Sequence, residues 1–168
     1  MRELHISYRP ADEASAREFL EWQYEPPYDI YNCPPDQLEH VIRYNINPKN
    51  NVYAMFDQAE RLVGYCSYGW DAQVPGGDYS AEALDIGMMI KPTLTGQGLG
   101  ADFAGEVIKN GIKKYDPEKL RVTVAAFNTR AVRVWEKQGF RKTQTFESLG
   151  NGMEFVVLTK EVVDPGKG

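Results

Sequence analysis

Three glycines at alternate positions, Gly96, Gly98 and Gly100, separate an apolar stretch at 83–90 from a run with helical spacing. Glycine is costly at a helix start unless the backbone needs a conformation, or a close approach, that only glycine permits. A strand, a glycine-rich turn and a helix start together make an anion site. The first helical N–H groups have no partner within the helix, and the helix dipole favours negative charge. The stretch KPTLTGQGLGADF, residues 91–103, thus limits the chain to folds in which a strand delivers such a turn against a helix.

Three readings of the turn compete. A P-loop ends in Gly-Lys-Ser/Thr, whereas Gly100 is followed by Ala101 and Asp102, so that reading fails. A dinucleotide fingerprint needs G-x-G-x-x-G, and this turn is one residue short. The next strand also ends in VAAFN, without the acidic ribose partner, so a dinucleotide oxidoreductase ranks behind the other readings. The third reading is a helix start that uses glycine for tight packing.

The elements around the turn narrow the choice. Alternation or apolar runs predict strands at 3–9, 51–57, 61–70, 83–90, 119–127, 140–148 and 153–162. Helices are predicted at 10–24, 35–46, from the glycine turn to Tyr115, and at 128–138, the last stopping at Gly139. The strand at 83–90 is apolar almost throughout, which predicts burial on both faces. The order is β-α-α-β-β-β-α-β-α-β-β, an α+β arrangement with a mixed sheet. At 168 residues the chain suits one domain, expected over 1–163, with 164–168 a flexible tail.

Composition bears on partners. A formal net charge of -5 argues against nucleic acid and suits a cationic substrate. Cys33 and Cys66 stand in no metal or redox spacing, so no metal is expected and both thiols read as reduced. The N-terminus has no apolar core and no apolar run is long enough to cross a bilayer, which predicts a cytoplasmic protein without a membrane partner.

Downstream of the turn, the run NTRAVRVWEKQGF carries Asn128, Ala131, Trp135, Glu136, Lys137, Gly139 and Phe140. With Thr95-Gly96-Gln97-Gly98-Leu99-Gly100, it resembles the GCN5-related N-acetyltransferases, or GNAT family. Both motifs fall within 83–140; the rest agrees in element order only. The resemblance implies a central twisted mixed sheet of about seven strands, splayed between strands 4 and 5, with about four helices. It implies transfer of an acetyl group from acetyl-CoA to a primary amine of a small molecule or peptide, by direct attack in a ternary complex. Whether the acyl chain is longer than acetyl stays open. Homodimers are common in the family.

The resemblance also assigns residues. Met88, Met89 and Ile90 would border the thioester and pantetheine. The backbone of Thr95, Gly96, Gln97, Gly98, Leu99, Gly100 and Ala101 would cradle the diphosphate. Thr95 departs from the usual Arg or Gln and so lacks a side-chain contact. Asn128 would bond pantetheine, or serve as a helix N-cap. Arg130, Arg133 and Lys137 share one helix face, which would meet the 3′-phosphate or simply be solvated.

Chemistry is less regular. Many relatives donate a proton to sulfur from a Tyr where this chain has Trp135, whose indole N–H is a donor but no acid. Trp135 then contacts the cofactor or fills the core. Thr123 stands where some N-terminal acetyltransferases carry Glu. These two departures keep a non-catalytic acyl-CoA-binding sensor or interaction module as the alternative. Asp85 is the first candidate for a base and Glu82 the second, with a structural carboxylate the other reading of each. Cys66 has no neighbouring His in sequence and is not read as a nucleophile. The loop EWQYEPPYDIYN offers Trp22, Tyr24, Tyr28, Asp29 and Tyr31 to a cationic acceptor, or else caps the core with aromatics. Tyr28 or Tyr31 could replace the missing proton donor.

Overall fold

The computed structural model describes residues 4–163. The expected tail at 164–168 lies outside them, as does Glu3 at the start of the first expected strand. The elements follow the expected order: β1 (Ser7–Pro10), α1 (Glu13–Leu20), α2 (Leu38–Ile46), β2 (Val52–Phe56), β3 (Leu62–Tyr68), β4 (Leu84–Ile90), α3 (Gly100–Tyr115), β5 (Lys119–Ala125), α4 (Thr129–Lys137), β6 (Arg141–Glu147) and β7 (Glu154–Glu161). Short 3-10 turns fill several connections, among them Tyr28–Tyr31 and Trp70–Ala72.

Local signals set the helix ends. Asp12 caps α1 in a capping box with Ser15, so the helix starts at Glu13 rather than Pro10. Gly139 ends α4 at a φ of 95°. Seven strands form one sheet in the order β1-β2-β3-β4-β5-β7-β6. Every neighbouring pair is antiparallel except β4 and β5. Two clusters cover the sheet. The larger joins Phe103, Val107 and Ile108 of α3 to Ile86, Leu120 and Val122 of β4 and β5. The smaller joins Phe19 and Leu20 of α1 and Ile42 of α2 to Val52 and Ala54 of β2.

β4 and β5 pair only at Leu84–Leu120 and Asp85–Arg121, and then separate. β4 goes on pairing with β3 as far as Ile90, and β5 with β7 as far as Ala125. A wedge therefore opens within the sheet, and β4 is only half-buried from Gly87 to Ile90. That corrects the expectation of burial on both faces: one side of β4 looks into the wedge instead of at a partner strand.

A buried ion pair closes the wedge. Arg121 is 4% exposed and Asp85 3%. Arg121 Nε donates to Asp85 Oδ1 at 2.6 Å and Nη2 to Oδ2 at 2.8 Å, while Nη1 donates to the carbonyl of Ala81. Gln73 Nε2 donates to Asp85 Oδ2 at 2.9 Å, and the Tyr79 ring lies 4.9 Å from the guanidinium carbon. Removing one member of such a pair strands a buried charge. Arg121→Met should lower the unfolding free energy by about 3–5 kcal/mol in urea titration. The double replacement Asp85→Leu with Arg121→Met should lose clearly less, because no charge is left behind.

Candidate functional site

The wedge widens into a cavity of about 580 Å³. That falls in the range of small-molecule sites. Ile86 to Ile90 of β4 form one wall and Val122 to Ala125 of β5 the other. The glycine turn and α4 close one end. Tyr24, Tyr65, Asn45 and Asp71 lie at the other, across β4.

The turn presents open backbone N–H groups to the cavity. Gly96 and Gly98 adopt φ of 73° and 76°, the left-handed region where side chains are strained. Gly100 differs: a Cβ there would lie 3.0 Å from a Val134 methyl on α4, a tight contact that the neighbour must yield to. α3 has no side-chain N-cap, and its first bond is Phe103 N–H to the Leu99 carbonyl. Among the described residues, no acceptor takes the N–H groups from Gly96 to Ala101. Thr95, Gly96, Gly98, Gly100 and Ala101 line the cavity. Gln97 and Leu99 do not. The Gln97 amide folds back onto the Thr93 carbonyl, and Leu99 packs on the core. Thr95 donates its hydroxyl to the Pro92 carbonyl, bracing the turn.

α4 brings Arg130, Arg133, Val134, Trp135 and Lys137 to the cavity. Asn128 is the helix N-cap, Oδ1 accepting from the Ala131 N–H, and its Nδ2 donates to the Tyr31 hydroxyl at 3.2 Å. Trp135 is 5% exposed and sits edge-on to Phe140 at 5.3 Å. It is thus a core residue that also forms part of the wall.

The tyrosines of the 24–31 loop separate by role. Tyr24 donates to the Ile90 carbonyl at 2.8 Å, tying the loop to β4, and burial pushes its phenol well above the ordinary range. Tyr28 lies under the Arg130 guanidinium at 4.4 Å. Tyr31 stacks on Phe127 at 6.2 Å, and burial raises its phenol, partly offset by the Asn128 bond. All three line the cavity. Trp22 instead packs on Phe19 and Tyr65, and Asp29 is exposed; neither reaches the wall.

Neither carboxylate expected as a base lines the cavity. Both Asp85 oxygens are held by Arg121, and Asp85 is not part of the cavity wall. With Gln73 as a further donor, both oxygens are engaged away from the cavity. Glu82 is exposed and away from the cavity. Cys66 reaches the wall, but burial pushes its thiol up to about 12, too high for a thiolate nucleophile near neutral pH. The reading from sequence missed Asp71. It lies in the 3-10 turn Trp70–Ala72 and accepts from the Tyr44 hydroxyl at 2.6 Å. The segment around it carries no motif, so only the fold brings Asp71 to the cavity.

Residues 5–141 match the family described as Acetyltransferase (GNAT) domain. No curated protein matches the sequence. Among solved structures, spermidine N-acetyltransferase from Vibrio cholerae in complex with CoA and spermine is 16% identical, with a TM-score of 0.62 over 93% of this chain and 95% of that one. An acetyltransferase (GNAT family) from Bacillus anthracis is 15% identical, with a TM-score of 0.66 over 95% and 96%. A dodecameric structure of the Vibrio cholerae spermidine N-acetyltransferase is 18% identical, with a TM-score of 0.63 over 93% of each chain. At these identities the likeness to the solved structures is one of fold.

The turn geometry predicts separable effects of substitution. A Cβ at Gly98 meets nothing within 4 Å, so Gly98→Ala adds backbone strain alone. Its unfolding free energy should fall by about 1–2 kcal/mol in urea titration. Gly100→Val, which drives side-chain atoms into Val134, should fall further.

Proposed function

The chain belongs to the GNAT acetyltransferase family, and on that basis we propose that it moves an acetyl group from acetyl-CoA to a primary amine of a small molecule or peptide. The observation that carries the reading is the single cavity through the wedge, which joins the glycine turn to the tyrosine-lined end across β4. Donor and acceptor would meet there in a ternary complex, with direct attack.

The residues fit the donor. The open N–H groups from Gly96 to Ala101 suit a diphosphate. Arg130, Arg133 and Lys137 suit the 3′-phosphate. β4 has no partner on its β5 side after Asp85, so its edge at Met88, Met89 and Ile90 can pair with the amides of a pantetheine arm, as an added strand would. Asn128 and Trp135 would flank that arm. Bound acetyl-CoA supplies an activated acyl carbon. The same β4 edge offers N–H groups to the charge that develops on the acyl oxygen.

As the C–N bond forms and the C–S bond breaks, the sulfur needs a proton. Trp135 cannot supply it. Tyr31 can: it lines the cavity, its hydroxyl accepts from Asn128, and its own proton stays free to donate. Because burial raises its pKa, Tyr31 remains protonated through neutral and mildly alkaline pH. The amine's proton leaves through water. The spermidine N-acetyltransferase fold neighbours, one in complex with CoA and spermine, support an amine acceptor. A homodimer and a cytoplasmic setting belong to the same proposal; no helix among the described residues is long and apolar enough to cross a membrane.

Calorimetric titration with acetyl-CoA, desulfo-CoA and NADH tests the cradle. Both CoA species should bind and NADH should not; failure of both CoA species would overturn the donor assignment. Tyr31→Phe should lower kcat about 10²-fold with acetyl-CoA affinity kept. The wild-type pH profile should show no loss from Tyr31 up to about pH 10, the ordinary phenol value, since its pKa is shifted upward from there. Full activity in the Phe variant would remove Tyr31 as the donor.

A further inference from the structure

The charges on the cavity wall are segregated. Arg130, Arg133 and Lys137 all come from α4, beside the glycine turn. Among the described wall residues, Asp71 is the one carboxylate, and it lies across β4 at the tyrosine end. No Lys, Arg or His among the described residues forms an ion pair with it. The Tyr44 hydroxyl holds Oδ1, and Tyr65 feels the charge: burial first and Asp71 second push its phenol upward. A carboxylate in a cavity wall with no ion-pair partner among the described residues suits a cationic ligand.

Its position along β4 says which cation. Ala72, next in sequence, packs over Gly87, where a Cβ would lie 3.5 Å from the Ala72 Cβ. Gly87 precedes Met88–Ile90, the stretch assigned above to the thioester. Asp71 is therefore offset from the reacting centre on the acceptor side. The offset matters chemically. A carboxylate against the attacking nitrogen favours its protonated form, which cannot attack until that proton is removed. A carboxylate set back from it can hold a second nitrogen that stays protonated throughout.

We propose that Asp71 binds a second, non-reacting ammonium of the acceptor, so that small diamines are preferred over monoamines. The inference rests on the acetyl-transfer reading above. Tyr24 and Tyr65, at the same end, offer aromatic faces to the held cation. A single carboxylate matches a single spare charge. The basic residues at the other end are left to the anionic donor, so each substrate enters toward its own countercharge.

The test compares α,ω-diamines of three to six carbons with monoamines of the same length, in a thiol-release assay with acetyl-CoA. Asp71→Asn keeps the shape and an acceptor for Tyr44 but removes the charge. In the wild type the best diamine should exceed its monoamine in kcat/KM by about 10- to 100-fold, the usual worth of a charged hydrogen bond. Asp71→Asn should abolish that preference through the diamine KM, leaving monoamine turnover and acetyl-CoA affinity within about twofold. Tyr44→Phe, which removes the hydrogen bond and leaves the charge, should keep most of the preference. A structural role for Asp71 would instead lower diamine and monoamine turnover alike in both variants. Equal use of monoamines by the wild type, or a preference that survives in Asp71→Asn, overturns the assignment while leaving acetyl transfer intact. Release with no amine of either series, despite acetyl-CoA binding, overturns it together with the acceptor chosen above.

Discussion

The wedge depends on one rung. Arg121 and Asp85 face each other at the last paired position of β4 and β5, and beyond them the strands part. Two charges out of water are tolerated only where their hydrogen-bonding capacity is met. Here each Asp85 oxygen accepts from the guanidinium, Gln73 adds a third donor, and the remaining Arg121 nitrogen finds the Ala81 carbonyl. The groups come from β4, β5 and the long connection between β3 and β4. The pair thus ties that connection to the base of the wedge, and the connection is what delivers Asp71 to the cavity.

Separation of the strands leaves backbone groups unpaired, and the fold meets this unevenly. The Tyr24 hydroxyl takes the Ile90 carbonyl at the far end of β4. The N–H groups of the glycine turn have no such partner among the described residues. The polar backbone is left open where a ligand's anionic groups would lie and closed where the loop 24–31 folds over. Packing adds to this arrangement. Gly100 lets α3 approach Val134, so α4 stands close enough for Arg130, Arg133 and Lys137 to border the turn.

Much of the framework is legible in the sequence because its signals are local. The capping box at Asp12, the glycine turn, Asn128 as an N-cap and Gly139 as a stop each act within a few residues. The element order follows from periodicity, and the motifs on either side of β5 point to the family. What misleads is what depends on distant partners. The run ALDIGMMI reads as doubly buried because an apolar cavity wall and an apolar core demand the same residues. Asp85 looks like a base from its place on β4, but its Arg121 partner is 36 positions away. Asp71 carries no local mark at all. Its setting is made by Tyr44 on α2, 27 positions upstream.

The same distinction explains how a tryptophan can stand at position 135. A residue on α4 near the sulfur has two tasks that need not fall to one side chain: filling the space between α4 and β5, and supplying a proton. Trp135 does the first, packed edge-on against Phe140 and almost wholly buried. The second can come from across the cavity, since Tyr31 reaches the α4 N-terminus through Asn128. In this arrangement Asn128 links the two tasks. Its carbonyl oxygen holds the start of the helix that carries Trp135, and its amide nitrogen holds the phenol proposed above as the acid. On that proposal the acid would be borne by the loop that also covers the tyrosine-lined end, so proton delivery and enclosure of the acceptor would depend on the same segment.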